Sequence, residues 1–222
     1  MSVIRQIPVF PLPDVVFFPE TVLPLHVFET RYRAMVKDAL AADRSIAVAL
    51  LRPGWEQQYA GSPACFQIAT AGRIEELEMT LDGRYYFKLA GPVRVRLGEV
   101  LREAPYRIVR DEEIPERSVD ESNPSIRSGK LELLATQACL VRELTGNDIP
   151  NLVLDERMSF AAAVNGACAS LPTEAAIRQE LLELDDLTKR HRRATEMFDD
   201  VLKRVLALKS AADGAAGARG AN

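Results

Sequence analysis

The stretch "VFPLPDVVFFPETVLPLHVFETRYRAMV", Val9 to Val36, is as apolar as a buried strand, yet Pro11, Pro13, Pro19 and Pro24 interrupt it. Each proline fixes φ, lacks the N–H that a ladder needs and pushes its predecessor toward extended geometry. That spacing argues against one central strand and against one helix. Short extended pieces are expected instead. A helix should follow, because Phe28, Tyr32, Met35, Val36 and Ala39 fall on one face at a 3.6-residue period with charges opposite.

Beyond that helix the N-terminal half reads as β structure. "SIAVALL", Ser45 to Leu51, has the composition of a buried strand. "RIEELEMTLDGRYYFKL" carries Asp82-Gly83 between two strand candidates, which is hairpin turn chemistry. "VRVRLGEV" alternates strictly, Val93, Val95 and Leu97 one way, Arg94 and Arg96 the other. "YRIVRDEEI" completes the set. Short strands at this spacing point to a small barrel or folded sheet rather than βαβ units.

The pattern then changes. "EIPERSVDESNPS" is acidic, polar and proline-punctuated, as a linker would be. Asn123 with Pro124 signals a helix start and Gly146 a stop. Asp155 and Thr173 are expected to cap two further helices. In the last helix Leu187, His191, Ala194, Phe198, Val201, Val205 and Leu208 step by four and three, with a new cap expected at Asp185-Asp186. The expected layout is a β domain over 1–116, a linker over 117–124, a helical bundle over 125–210 and a disordered tail over 211–222.

Composition narrows the function. The 222 residues carry a formal net charge of −4, which disfavours a protein built to neutralise phosphates. No run is long and apolar enough for a membrane span, and the N-terminus lacks a signal-peptide core, so a cytoplasmic location is expected. Cys65, Cys139 and Cys168 are odd in number and widely spaced, which reads as small buried hydrophobes. With His26 and His191 the only histidines, no His-rich metal site can form, and His191 reads as a bundle histidine. Phosphate-loop, serine-elbow and Ser-x-x-Lys patterns are all absent. No catalytic residue, metal or cofactor is expected.

Four sets of residues remain to be placed. The acids Glu75, Glu76 and Glu78, and Asp111, Glu112 and Glu113, alternate faces along strands and read as solvated edges. Arg94, Arg96, Arg107 and Arg110 either form a basic strip able to grip a phosphate backbone or a solvated sheet face. Trp55 and Tyr59, on the loop "RPGWEQQYAGSPA", either anchor a partner or fold back over the core. Phe17, Phe18, His26 and Phe28, with those two aromatics, are the candidate polypeptide contacts.

The opening stretch resembles the Lon protease N-terminal domain, the LON substrate-binding family. The matching residues are Pro8, Phe10, Pro11, Leu12, Phe18, Pro19, Leu23, Pro24, Leu25, Phe28, Glu29, Arg31 and Tyr32. "DGRYYFKLAGPVRVRL" and "ASLPTEAAIRQELLELDDLTKR" resemble two further blocks of that family. The resemblance implies an α+β fold: an N-terminal PUA-like β pseudobarrel with one inserted helix, then a C-terminal helical bundle. It also implies a stand-alone member without the ATPase and Ser-Lys peptidase domains, and hence no enzyme. Two functions follow as expectations. One is a protein-binding module or adaptor for unfolded or peptide segments, at the barrel rim or the groove beside the bundle. The other is an RNA-binding module through the arginines named above. A monomer or weak homodimer is expected.

Overall fold

The computed structural model describes residues 4–58, 61–146 and 158–219, with Gln58 and residues 212–219 described by backbone alone. The strands are β1 (Ile4–Leu12), β2 (Thr21–Val27), β3 (Ser45–Leu50), β4 (Ile68–Met79), β5 (Tyr85–Arg102) and β6 (Ile108–Ile114). The helices are α1 (Thr30–Ala41), α2 (Pro124–Thr145), α3 (Phe160–Ser170), α4 (Ala175–Glu183) and α5 (Leu187–Arg219). Asp155 lies outside the described residues; α3 is capped by Ser159, whose side chain accepts from Ala162 N–H.

The chain divides into two compact units. Residues 1–117 and 173–185 form the first, and 118–172 with 186–222 the second. This corrects the layout read from sequence, because α4 belongs with the sheet rather than with the other helices. Gln179 Nε2 on α4 donates to the backbone oxygen of Ile68 on β4 at 2.9 Å, and Leu181 and Leu182 are buried. Nor is α4 capped by Thr173, since its N-cap is Glu174 without a side-chain bond.

In the first unit the strands pair in the order β2-β5-β4-β3-β1-β6, and β6 pairs with β5 as well. Five strands therefore close into a ring of pairings, with β2 outside it on β5. The result is a mixed six-stranded sheet rather than a clean barrel. β1 and β3 run parallel, and the connection between them carries both β2 and α1. Continuous burial along β3 is the mark of a strand covered on both faces.

The opening stretch splits into short extended pieces as expected, β1 ending at Leu12 and β2 running Thr21–Val27. β1 has neighbours on both sides yet contains Pro8 and Pro11. It pairs with β6 over Ile4 to Pro8, then switches to β3 over Val9 to Leu12. Each proline thus has a flank on which no ladder donor is required. Pro24 sits in β2, which pairs with β5 alone among the described residues.

Two apolar layers result. Inside the ring, Ile7, Val9, Ala47, Ala49, Ala69, Ala71, Val95, Leu97 and Val109 form one cluster. The alanines supply the small volume that a narrow interior demands. On the outer face, α1 lays Tyr32, Met35, Val36 and Ala39 against Phe10, Ile46, Val48, Ile74, Phe87 and Leu89. Phe17 joins this layer from the loop after β1. Its ring lies so close to Gly91 and Gly72 that a Cβ would meet it at 2.5 and 2.8 Å respectively.

In the second unit α2 packs on α3 and α5. Asn123 caps α2 by accepting from Ser125 N–H, Pro124 opens it and Gly146 closes it in the left-handed conformation. Leu133, Leu134, Leu140, Phe160, Val164, Leu187, Ala194 and Phe198 are buried. His191 Nε2 lies 2.9 Å from the Gly129 carbonyl oxygen, as a satisfied core histidine would. At the start of α5 the Asp186 carboxylate accepts from Thr188 N–H at 2.9 Å, the break expected at that point. The helix continues through Arg219, so the backbone over 211–219 is helical where composition pointed to disorder. Alanine, abundant there, is the strongest helix former.

Candidate binding surface

β2 and β5 bury one face and leave the other bare. Val27, Phe87 and Leu89 point into the core, while Val22, Pro24, His26, Tyr86 and Lys88 are exposed. The register sets His26 directly opposite Tyr86. Their rings stack with centroids 4.2 Å apart and planes 5° apart. Phe28 follows, its centroid 5.5 Å from that of His26. It was expected on the buried face of α1, but the helix begins after it, and 59% of its surface is exposed. Met79 and Leu81, before the hairpin turn, are exposed too.

Of these rings, His26 and Phe28 border an open cleft of about 460 Å³, which Arg33, Asp82 and Arg84 also line. The turn chemistry of "TLDGR" builds its floor. Gly83 adopts φ 78, and Thr80 N–H bonds back to the Arg84 carbonyl. The Thr80 hydroxyl donates to the Asp82 carboxylate, which holds that carboxyl below the usual aspartate value, with the backbone N–H and guanidinium of Arg84 adding to the effect. Arg84 Nε pairs with Asp82 at 2.7 Å. Arg33, from the first turns of α1, lays its guanidinium against Gly83.

Of the sequence candidates, His26 and Phe28 meet at this cleft. Phe17 and Phe18 do not, being 2% and 0% exposed core residues. Two large rings stabilise the unit by about 1.5–3 kcal/mol each when buried. Trp55 is half-buried in a short 3₁₀ turn, and Tyr59 lies outside the described residues. Sequence reasoning missed Tyr86, Arg33 and Arg84. A signal for Tyr86 existed, because one of two consecutive tyrosines beside a hairpin turn must face outward.

The four arginines do not assemble into a strip. Arg94 is fully buried, with Glu116 at 3.0 Å, Asp185 at 3.1 Å and the Leu182 carbonyl at 3.0 Å. Arg107 ties down the loop through Ser62 Oγ at 2.6 Å, the Pro63 carbonyl at 2.9 Å and Cys65 Sγ at 3.2 Å. Arg110 pairs with Glu99 at 3.4 Å and Arg96 is exposed. The acids are corrected likewise. Glu75, Glu76 and Glu78 are exposed, but Asp111 is buried. Burial raises its carboxyl above the ordinary value, against the opposing pull of Arg5 at 3.4 Å. Burial also raises the Cys65 thiol, with Arg107 opposing. Among the described residues no three His, Cys, Asp or Glu side chains are grouped to hold a metal ion, and no helix is long and apolar enough to cross a membrane.

The molecule is thus an α+β protein presenting an aromatic, weakly charged surface at one end of its sheet. The profile described as the ATP-dependent protease La (LON) substrate-binding domain matches residues 6–200, and the chain belongs to that family. It is 27% identical over 213 residues to the Lon protease of Anaeromyxobacter dehalogenans, covering 94% of this chain and 25% of that protein. To Lon protease 2 of Myxococcus xanthus it is 28% identical, over 95% of this chain and 26% of the relative. The chain therefore spans about a quarter of the length of these relatives. Two solved structures are similar. The N-terminal domain of Mycobacterium avium complex Lon protease aligns with TM-score 0.66 at 21% identity, over 88% of this chain and 99% of that one. A Lon N-terminal domain protein from Xanthomonas campestris gives TM-score 0.60 at 25% identity, over 85% and 96%.

Proposed function

We propose that this chain is a non-catalytic recognition module that holds flexible or unfolded segments of other cytoplasmic proteins. Membership of a family described as substrate-binding supports a recognition role, and the exposed rings of Phe28, His26 and Tyr86 carry its assignment to a surface. Aromatic rings fixed on a rigid sheet provide contact area at small entropic cost, and such residues dominate binding energetics. The closed ring of strands is read as a PUA-like pseudobarrel that serves as the rigid support, with α2, α3 and α5 as a separate helical bundle. The 222 residues contain neither a phosphate loop nor a Ser-x-x-Lys dyad, which supports reading them as a region that binds rather than cleaves.

The test is a titration of a fluorescent, reduced and carboxymethylated polypeptide by fluorescence anisotropy. The double variant Phe28→Ser, Tyr86→Ser is expected to weaken binding roughly tenfold or more. Unchanged affinity in a folded double variant would remove this surface from the account.

A further inference from the structure

We propose that the cleft selects, among flexible segments, those in which a carboxylate side chain lies beside an aromatic or aliphatic one, with Arg33 as the carboxylate receptor. The inference rests on the polypeptide reading above and adds the chemistry of the preferred segment.

The charge pattern around the cleft carries it. The neighbouring cations are already engaged: Arg31 with Glu29 at 3.1 Å, Arg84 with Asp82 at 2.7 Å, and Lys88 with Glu76 at 2.5 Å. Arg33 is different. It lines the cleft, is half-buried, and its guanidinium has no ion-pair or hydrogen-bond partner among the described residues. Two guanidiniums against one carboxylate leave the lining with a single uncompensated positive charge. A guanidinium presents a planar fork of N–H donors, which matches a carboxylate in two-point geometry. Packing against Gly83 orients the Arg33 fork before any ligand arrives, which reduces the entropy lost on binding.

The apolar half of the recognition comes from the rings. His26 and Tyr86 stack on each other and Phe28 lies beside His26, with 59% of the Phe28 surface and 43% of the Tyr86 surface open to an incoming side chain. A polyanion fits less well. Glu78 stands opposite Tyr86 in the ladder, and Glu75 and Glu76 are exposed on the same strand. Several phosphates would meet those acids, whereas one carboxylate meets only the unpaired arginine. That asymmetry favours a peptide over a single-stranded nucleic acid.

The experiment compares two short fluorescein-labelled flexible peptides that differ only in carrying Phe-Asp or Phe-Asn, titrated with the full chain. Wild type is expected to bind the Phe-Asp peptide roughly threefold to tenfold more tightly. Arg33→Gln should abolish that preference, so that the variant binds the Phe-Asp and Phe-Asn peptides with equal affinity. Should Arg33→Gln fail to fold, the wild-type preference alone decides, since it must shrink as salt rises to about 0.5 M. Equal binding of both peptides by wild type overturns the carboxylate receptor and leaves polypeptide recognition standing. So does a preference that survives in Arg33→Gln or at high salt. Binding of neither peptide removes polypeptide recognition, and this inference with it. Single-stranded RNA that displaces the Phe-Asp peptide and depends on Arg33 overturns the proposal in favour of a nucleic-acid site.

Discussion

Replacing Arg94 by alanine separates a structural arginine from a solvated one. Its side chain is fully buried and meets three partners within 3.1 Å. Those partners are unequal. Asp185 keeps 63% of its side-chain surface in water and contributes no more than about 1 kcal/mol. The Leu182 carbonyl would lose a charged donor, costing about 1–3 kcal/mol. Glu116 is only 13% exposed and would be left without its counter-charge. Breaking a buried pair on one side costs about 3–5 kcal/mol, so Arg94→Ala is expected to lower the unfolding free energy by that amount. Urea titration followed by tryptophan fluorescence is the assay, because Trp55 is the sole tryptophan and belongs to the same compact unit. Arg94→Met with Glu116→Leu should recover at least half the loss, since no orphaned charge remains. A cost below about 1 kcal/mol for Arg94→Ala, the value of a surface pair, would refute the reasoning.

Gly91→Ala is expected to destabilise by about 1–3 kcal/mol, because the new methyl would sit 2.5 Å from the Phe17 ring and 3.0 Å from Thr70 Cγ2; a gain in urea midpoint would contradict it. Asp111 makes a pH prediction. Its carboxyl is raised in the folded state, so the folded chain holds the proton more tightly than the unfolded one. Its contribution is therefore most favourable at low pH and falls as pH climbs from the ordinary aspartate value, about 4, through the raised one. The stability difference between wild type and Asp111→Asn should shift toward the variant across that window, and a shift in the other direction would contradict the assignment. Phe28→Ser and Tyr86→Ser, both exposed, should each change the unfolding free energy by less than about 1 kcal/mol.

The Asp82-Gly83 hairpin, the Asn123-Pro124 and Gly146 helix ends and the cap at Asp186 were legible, because each rests on local turn or cap chemistry, whereas the two short strands read over Tyr85 to Val100 are one strand, β5. The prolines of β1 were not legible. Their tolerance depends on a strand that changes partners between Pro8 and Val9, and pairing is a property of the whole sheet. Arg94 was misread for a related reason. Period-two alternation gives the face of a residue but not what covers that face, and the segment from Leu182 to Asp185 comes from nearly ninety residues later. Of the six candidate contacts read from sequence, two, His26 and Phe28, line the proposed cleft. His26 and Phe28 stood out by type, Phe17 and Phe18 by type alone, and only the β2–β5 register selects Tyr86 as the partner of His26.

Hydrogen–deuterium exchange of the full chain, with and without a saturating unfolded polypeptide, tests the binding surface most directly. Protection should appear in Thr21 to Phe28 and in Met79 to Lys88, where the rings and the hairpin turn meet. Protection confined to other segments, or none at all under saturation, would show that this end of the sheet is not where the chain holds its partner.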